Sequence, residues 1–454
     1  MPSGGGRLHP LEGHSVDTHR GTPSYEDTIA WLQRLEVTSG WDLKLERMRA
    51  ALALRGHPEE AFPAVHLAGT NGKGSTAAMV EAVLRASGIR TGLYTSPHLI
   101  DFAERIRAGG GTVPRDTVVA LVAELRAALE RHRIALTHFE FSTVLALEWF
   151  ARIGVELAVV EVGLGGRLDA TNTVRPIATA ITSIAHDHEE WLGRELRQIA
   201  FEKAGIAKPG VPLVIGRVPP EAEAVIAAHA AEVGAPLVRA GPDGTLEKSA
   251  NGLAFCPAGG AAQDGLGLAL EGAFQLGNAE VALLLLSRLG TRFAPSASAV
   301  RAGLASVRWP GRLAVLREAP LVVVDGAHNP AGVAALAAEL PRLVGARRLV
   351  LVFAVMADKA WPAMLEHLLP SASEVIVTRV GRRGLDPGGL AAAMSGGVPV
   401  HAVVDPRAAV RLALERAASG DAVLVTGSLF LAGEAYATLA PGARLFEPWY
   451  GWGE

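Results

Sequence analysis

The feature of this sequence that most constrains its fold is a glycine-rich loop between an apolar run and a helical stretch. The run "AVHLAG" (64–69) is typical of a buried strand, and "STAAMVEAVLRASG" (75–88) has apolar residues at helical spacing before a terminal glycine. Between them lies "TNGKG". A strand, a glycine loop and a helix in this order form an anion site, because free N–H groups and the positive end of the helix dipole face the loop. The sequence therefore predicts an α/β fold with a phosphate-binding loop.

The loop departs from the general pattern G-x-x-x-x-G-K-[ST]. Its leading glycine is Gly69, and Gly74 separates Lys73 from the hydroxyl of Ser75. Gly72 and Gly74 let the backbone approach a phosphate, and Lys73 supplies a positive charge. We expect the helix to begin near Ser75. An ordinary tight turn is the alternative interpretation.

The rest of the chain alternates strand-like and helical segments. Buried strands are predicted at "LAVVEVG" (157–163), "IATAITSI" (177–184) and "PLVIG" (212–216), which is typical of a doubly wound parallel sheet. Residues 236–272 are rich in turn residues and predict a small β excursion. A second alternating series begins near residue 310, with strands in "LVVVDGAHNP", "RLVLVFAV", "EVIVTRV", "VPVHAVV" and "AVLVTGS". We therefore predict a domain boundary there.

Composition limits the class of protein. A chain of 454 residues is too long for one ordinary core and indicates two or three domains. A net charge of -3 gives no general attraction to nucleic acid or to an anionic membrane. The single cysteine, Cys256, excludes an intrachain disulfide and favours a cytoplasmic setting. Apolar runs are far shorter than the roughly 20 residues of a membrane span.

Polar residues that follow predicted strands are candidates for a metal site. Ser96 lies in "YTSPHL", and Glu161 closes a strand before the glycine loop "GLGGRLDATN". An acidic residue in this position resembles the way nucleotide enzymes hold Mg²⁺ beside phosphates. The alternatives are a turn residue at Ser96 and a capping carboxylate at Glu161. In "TSIAHDHEEWLG" we favour only one of His186 and His188 as a ligand, because oxygen ligands are enough for the rest of a magnesium shell.

Taken together, these motifs carry a resemblance to a known family. "HLAGTNGKGST", "TSPHL", "EVGLGGRLDATN", "TSIAHDHEEWLG", "EKAGI", "WPGR", "DGAHNP" and "LVTGS" occur in this order between about residue 25 and about residue 430. The chain resembles the folylpolyglutamate synthases and bifunctional dihydrofolate synthases of the Mur ligase superfamily. The resemblance implies a P-loop ATPase-like three-layer α/β domain with a parallel-rich sheet at 25–308. A smaller C-terminal Rossmann-like α/β domain at 309–454 and a flexible tail at 1–24 complete the expected organisation.

The resemblance also implies roles for individual residues. ATP would be bound by the loop and by residues of the hinge and the second domain: Thr70, Asn71, Gly72, Lys73, Gly74, Ser75, Asn278, Arg312 and Asp325. Mg²⁺ would be held by Ser96, Glu161 and His188. Lys203 would be carbamylated, which converts a cation into a carboxylate-like group. The catalytic set would be Lys73, Lys203, His328 and Asp325, the last two on the glutamate side.

The implied reaction joins L-glutamate to a folate or dihydropteroate through an acyl phosphate made from ATP. The pterin substrate would lie near Asp42, Leu43, Thr137, His138, Phe139, Glu140, Leu168, Asp169 and Ala170. Small molecules are the only partners we expect, without nucleic acid or membrane, and we expect a monomer. Phe274, Ala360 and the additional His186 depart from the family pattern and bear on substrate preference rather than on phosphate binding.

Two other interpretations stay open at this point. A muropeptide ligase or another Mur-type amino-acid ligase would share the phosphate loop. It would lack "EVGLGGRLDATN" together with "SPHL", and would usually carry a further N-terminal domain for which the short tail leaves no room. A non-catalytic ATP-binding switch would have little need of Glu161, His188 and Lys203 together.

Overall fold

The structure, a computed structural model, describes residues 23–39, 44–394 and 397–452. The predicted tail at 1–24 lies outside these residues except for its last two positions. The strands are β1 Ala64–Ala68, β2 Thr91–Tyr94, β3 Ile106–Ala108, β4 Gly111–Thr112, β5 Leu157–Glu161, β6 Pro176–Ile181, β7 Leu213–Ile215, β8 Leu237–Arg239, β9 Gly244–Ser249, β10 Gly252–Pro257, β11 Gln263–Leu266, β12 Ala314–Glu318, β13 Leu321–Val324, β14 Leu349–Phe353, β15 Glu374–Val377, β16 Val400–Ala402 and β17 Ala422–Thr426.

Helices alternate with these strands. They are α1 Tyr25–Ser39, α2 Glu46–Leu54, α3 Lys73–Ala86, α4 Arg115–His132, α5 His138–Arg152, α6 Glu189–Leu192, α7 Leu196–Ala204, α8 Pro220–Val233, α9 Phe274–Leu286, α10 Gly290–Phe293, α11 Ala297–Ser306, α12 Pro330–Val344, α13 Trp361–Leu368, α14 Pro387–Ala393, α15 Pro406–Arg416 and α16 Leu429–Leu439. The described residues also include short 3₁₀ turns at Pro58–Glu60, Phe102–Arg105, Ala170–Thr173 and Leu369–Ser371.

The N-terminal domain contains an eight-stranded sheet in the order β4-β3-β2-β5-β1-β6-β7-β8. The six strands from β2 to β8 in this order are parallel, whereas β3 and β4 pair antiparallel at one edge. β1 and β5 are buried at every position, because helices cover both faces of a parallel sheet. The parallel-rich sheet predicted from the sequence is therefore confirmed.

Helices on the two faces of this sheet make a three-layer arrangement. On one face α3 packs against α9 and α11, and its apolar residues are buried all round because it lies between the sheet and those helices. On the other face α5 packs with α1, α2 and α4 around a second core. A separate antiparallel sheet, β11-β10-β9, follows the eighth strand and corresponds to the β excursion expected at 236–272. Cys256 on β10 is exposed.

The second α/β domain has a six-stranded sheet in the order β12-β13-β17-β14-β15-β16. Its strands are parallel except for the β12–β13 pair. One apolar core lies on each face, under α12 and α13 and under α15 and α16. The exact limits predicted for the two domains, 25–308 and 309–454, stay a prediction. Among the described residues, no helix combines the length and apolar character needed to cross a bilayer.

Candidate active site

The phosphate loop joins β1 to α3 at the carboxyl edge of the eight-stranded sheet. α3 begins at Lys73, and Gly72 precedes it with a φ of 86°. A Cβ atom on residue 72 would lie 2.1 Å from Oδ1 of Asn278. Glycine is therefore needed there for its conformation and for its size, and the unpaired N–H groups of the first helical turn follow directly.

Gly74 lies inside the first turn of α3, so the expectation that the helix begins near Ser75 is wrong. The backbone at Gly74 is helical, and no left-handed conformation calls for glycine there. A Cβ atom on residue 74 would instead lie 2.6 Å from Cζ2 of Trp309. The extra glycine is explained by a close contact with an indole ring rather than by a late helix start.

Hydrogen bonds hold the loop against the end of β6. The Thr70 N–H donates to the Ser183 carbonyl (2.9 Å), and the Asn71 N–H donates to Oγ of Ser183 (2.9 Å). The Thr182 hydroxyl donates to the Asn71 carbonyl at 2.6 Å. These contacts fix the loop backbone within the protein itself, so its shape is preorganised for a ligand.

Two lysines meet at the loop. Nζ of Lys73 donates to the carbonyls of Gly69 (3.0 Å) and Thr70 (3.2 Å), and Nζ of Lys203 donates to the same Gly69 carbonyl at 2.9 Å. Lys203 is 5% exposed. Burial, and after it the charge of Lys73, lower the pKa of Lys203 from 10.5 to about 7. The uncharged amine is consequently far more accessible at neutral pH than it is in an exposed lysine.

The three residues predicted as metal ligands line one cavity of about 440 Å³ with the phosphate loop. Glu161 ends β5, is buried, and accepts a hydrogen bond from the Ser96 N–H at 3.1 Å. Burial raises the pKa of Glu161, while the nearby Lys73 opposes that shift. Burial also lowers the pKa of His188 to about 4, which keeps its imidazole neutral and able to bind a metal.

His186 and His188 have different surroundings. His188 has a left-handed backbone (φ 52°) and lines the cavity. The His186 side chain is 54% exposed, contacts Glu189 at 3.1 Å and does not line the cavity. The geometry thus favours His188 as the imidazole that faces a bound metal.

The second domain contributes three of the predicted residues to the same cavity: Arg312, Asp325 and His328. The Asp325 carboxylate is buried and accepts N–H donors from Leu313 (2.9 Å) and Ala327 (2.7 Å). Burial raises the pKa of Asp325, and the Arg312 charge opposes the shift. Asn278 of α9 also lines the cavity and donates to Oε1 of Gln275 at 2.8 Å. The cavity therefore lies between the two domains.

A network that was not predicted from the sequence crosses this cleft. Asp187, which is buried, accepts from Nζ of Lys359 (2.5 Å) and from Nδ2 of Asn329 (3.0 Å). Asn329 also exchanges two hydrogen bonds with the Asn71 side chain, at 3.0 and 3.1 Å. Burial alone would raise the pKa of Asp187, but the neighbouring His188 and the Lys359 ammonium together hold it well below its usual range. The sequence feature that could have indicated this network is Asp187, a carboxylate between His186 and His188.

The predicted substrate residues that the structure describes lie outside this cavity. Thr137 and Glu140 form a capping box at the start of α5, and the Glu140 carboxylate binds Nε of Arg47 at 2.7 and 2.8 Å. The Phe139 and Tyr94 rings lie 6.1 Å apart. Burial lowers the pKa of His138 to about 3. His138 and Phe139 are half-buried beside Tyr94 and Phe102, whereas Thr137 and Glu140 have evident structural roles.

The second predicted substrate segment is partly structural as well. Asp169 is buried and accepts from the Leu164 N–H (2.8 Å) and from Oγ1 of Thr171 (2.5 Å). Leu168 is half-buried and Ala170 is buried. Asp42 and Leu43 lie outside the described residues. The structure thus brings the phosphate and metal candidates together and leaves the pterin contacts a prediction.

The structure shows the surroundings of Phe274 and Ala360, two residues that depart from the family pattern. Phe274 begins α9, lines the cavity and packs against the core of the second domain. Ala360 precedes α13 and makes no side-chain capping bond. Neither position contacts the phosphate loop through a hydrogen bond, so the loop geometry does not depend on them.

Comparison with known proteins agrees with this geometry. Residues 311–429 match the model of the Mur ligase glutamate ligase domain. The chain is 34% identical over 436 residues to the folylpolyglutamate synthase of Lacticaseibacillus casei. This alignment covers 92% of this chain and 99% of the relative. It is 38% identical over 341 residues to the dihydrofolate synthase/folylpolyglutamate synthase of Escherichia coli, covering 74% and 78%.

Solved structures of such proteins are similar to this chain in fold as well as in sequence. The Escherichia coli protein FolC in complex with DHPP and ADP superposes with a TM-score of 0.84 at 34% identity, over 92% of this chain and 99% of that chain. A bifunctional folylpolyglutamate synthase/dihydrofolate synthase with Mn, AMPPNP and L-glutamate bound has a TM-score of 0.82 at 35% identity, over 92% and 100%. Sequence, fold and cavity agree over nearly the full length, and the chain belongs to the folylpolyglutamate synthase/dihydrofolate synthase family of ATP-dependent Mur ligases.

Proposed function

We propose that this protein uses ATP to join L-glutamate to the carboxylate of a folate or of dihydropteroate, and that it carries out both reactions. The observation that carries the proposal is a cavity between the domains in which the phosphate loop, Glu161 and His188 meet Arg312 and Asp325. A relative with an ATP analogue, Mn and L-glutamate bound supports the same ligand set.

The phosphate loop, Thr70 to Ser75, binds the ATP phosphates through its N–H groups and through Lys73. Within the part of the chain that the structure describes, Nζ of Lys73 donates to loop carbonyls and forms no ion pair, so its ammonium can turn to a phosphate. Asn278, Arg312 and Asp325 contact the nucleotide from α9 and from the second domain. ATP would therefore be held by both domains at once.

The residues present fit a divalent cation. Ser96 and Glu161 offer oxygen atoms and His188 a neutral imidazole, and the Glu161 carboxylate is buried with no ion pair to a described side chain. A buried carboxylate without such a partner favours a cation beside it. Mg²⁺ would neutralise charge on the phosphoryl group that is transferred.

Lys203 is proposed to be carbamylated. An uncharged amine can attack CO₂, forming an N–C bond and releasing a proton, and the lowered pKa of Lys203 makes that form available at neutral pH. The product would place an anion beside Lys73 in the cavity, where the two lysine amines share one carbonyl. An attraction to Lys73 would then replace the repulsion that a protonated Lys203 has with it.

The reaction then has two steps. An oxygen of the substrate carboxylate attacks the γ-phosphorus of ATP, the bond to the ADP oxygen breaks, and an acyl phosphate forms. The glutamate amine attacks the acyl carbon, phosphate leaves, and the nitrogen loses a proton. Lys73 stabilises the phosphoryl charge in the first step, and the closed cleft excludes water from the acyl phosphate.

His328 and Asp325 are proposed to serve the glutamate side. Nδ1 of His328 lies 2.9 Å from the Gly326 carbonyl, which can only accept, so this nitrogen carries a proton. Burial lowers the pKa of His328, and the neutral ring then has its lone pair on Nε2. That nitrogen can accept a hydrogen bond from the incoming amine.

The other expectations belong to the same proposal. Thr137–Glu140 and Leu168–Ala170 lie beside the pterin site, with Asp42 and Leu43, and the domains divide at 308/309. The protein acts as a monomer in the cytoplasm on small molecules only.

Release of ADP from purified protein tests the proposal. With Mg-ATP, the release should require L-glutamate together with dihydropteroate or with a reduced folate, and D-glutamate serves as the matched control. Stimulation by only one of the two pterins would limit the protein to one activity. Stimulation by a UDP-muramyl acceptor alone, or by nothing, would refute the folate assignment.

A further inference from the structure

Trp309 contacts the first turn of the phosphate-loop helix. A Cβ atom on Gly74 would lie 2.6 Å from Cζ2 of the indole and 3.0 Å from its Nε1. Trp309 packs against the core of the N-terminal domain, yet it stands three positions before Arg312, which faces the nucleotide cavity. The indole therefore fills the space between the helix that follows the loop and the segment that carries Arg312.

A buried arginine and a second aromatic ring surround this indole. The Arg107 guanidinium carbon lies 5.0 Å from a ring centroid of Trp309 and 4.1 Å from that of Phe446. Arg107 is 4% exposed, and its Nε has no hydrogen-bond partner among the described residues. Burial lowers the pKa of Arg107 to about 10, so it stays charged. The charges of Glu81 and Glu104 and the faces of the two rings compensate the buried guanidinium, and contact with it restricts where those rings can lie.

Phe446 comes from the C-terminal segment (445–452), which crosses back to the N-terminal sheet. The Thr112 N–H donates to the Glu447 carbonyl, and the Trp449 N–H donates to the Thr112 carbonyl, both at 2.8 Å. Nε1 of Trp452 donates to the Ile153 carbonyl at 2.6 Å. Strand β4 at the edge of the eight-stranded sheet therefore anchors the segment that supplies the second ring.

The Trp309 indole also lies close to residues that line the nucleotide cavity. A small cavity of about 40 Å³ lies between Trp309, Phe446, Gly74, Glu161 and Arg312. It shares Gly74, Glu161 and Arg312 with the nucleotide cavity. A change in the position of the indole would consequently displace the phosphate loop and the predicted metal ligand, Glu161.

We propose that Trp309 is a positioning residue of the ligase: held by Arg107 and Phe446, its indole sets the spacing between the phosphate loop and Arg312. The inference rests on the proposed function, since it assigns the indole to the ATP-dependent step. Trp309 does not line the nucleotide cavity, so its effect is assigned to Gly74 and the segment leading to Arg312.

The first test is a pair of variants at the contact. Trp309→Phe keeps a ring for Arg107 and removes the atoms that lie against Gly74. It should raise KM for ATP and Kd for Mg-AMPPNP at least about fivefold and lower kcat, with KM for glutamate and pterin within about twofold. Gly74→Ala alone should weaken Mg-AMPPNP binding at least about tenfold. The double variant should bind better than Gly74→Ala, because the smaller ring leaves room for the added methyl group.

A second pair separates positioning from general stability. Phe446→Leu removes one of the rings over Arg107, whereas Tyr450→Leu changes a neighbouring side chain that is 85% exposed. Phe446→Leu should raise KM for ATP at least about threefold, and Tyr450→Leu should leave it unchanged. A merely structural role would lower Tm in both Trp309→Phe and Phe446→Leu without altering the kinetics of the folded fraction, and that result would overturn the proposal.

The two proposals fail in different ways. If the unaltered protein binds Mg-AMPPNP but releases no ADP with any pterin, the proposed function is wrong, and calorimetric Kd values still test the positioning role. Wild-type affinity in Trp309→Phe, or equal affinity in Gly74→Ala and the double variant, would refute the positioning role and leave the function intact.

Discussion

Replacing Lys203 with methionine tests the charge state of the amine that meets the phosphate loop. The folded protein holds this group at a pKa of about 7, against 10.5 for an exposed lysine. The unfolded chain therefore binds more protons than the folded one between these values, and stability must rise as the pH rises through this window. Methionine has a similar length and no charge, so the Lys203→Met variant should lose this contribution.

The magnitude follows from the shift. One pKa unit corresponds to about 1.4 kcal/mol, which gives about 5 kcal/mol over the whole window and about 3 kcal/mol between pH 7 and pH 9.5. For a chain of 454 residues, 3 kcal/mol corresponds to about 3 °C in Tm. The lost hydrogen bond to the Gly69 carbonyl lowers Tm at both pH values and cancels in the comparison.

Scanning calorimetry in CO₂-free buffer at the two pH values is the assay. The rise in Tm from pH 7 to pH 9.5 should be about 3 °C larger in the parent protein than in Lys203→Met. Lys248→Met makes the same change at an exposed position of the three-stranded sheet and serves as the matched control. Parallel Tm changes in the parent protein and Lys203→Met would show that folding does not lower the pKa of this amine.

Three further changes test other parts of the site. Gly69→Ala would place a Cβ 2.0 Å from Oγ1 of Thr182 at a φ of 148°, so Kd for Mg-AMPPNP in calorimetry should rise at least about tenfold; an unchanged Kd would contradict the close packing. Asp187→Asn removes the nearer carboxylate from the Lys359 ammonium, which is 8% exposed, and leaves it the Asp358 carboxylate 3.7 Å away. At a cost of about 3 kcal/mol Tm should fall by about 3 °C, whereas a fall under about 1 °C would contradict the ion pair. Lys73→Ala should keep the circular dichroism spectrum and reduce ADP release at least about 100-fold, so near-normal release would remove its assigned role.

Most strands could be predicted because they are buried on both faces and rich in β-branched residues. β5 and β17 are runs of this kind, and their positions agree with the sequence patterns. β3 and β4, with three and two residues, are too short to show a period, and they depend on pairing with each other and with β2. Edge strands of this length are set by tertiary contacts.

The phosphate loop could be predicted because its residues are adjacent in the chain. The Asp187–Lys359 pair could not, since its members lie 172 positions apart and no local pattern links them. Gly74 illustrates the same limit: local rules suggested a late helix start, but a tryptophan 235 positions further along occupies the space. Thr137 and Glu140 show the converse, because a capping box accounts for both residues.

In the proposed reaction, the phosphate loop holds a phosphate of ATP that is passed to the substrate carboxylate. Dihydropteroate labelled with ¹⁸O in its carboxylate tests it directly, with mass spectrometry of the inorganic phosphate released during turnover with Mg-ATP and L-glutamate. An acyl phosphate intermediate requires one labelled oxygen to appear in each phosphate. If ADP release matches product formation but the released phosphate carries no ¹⁸O, no acyl phosphate is formed and the proposed transfer is wrong.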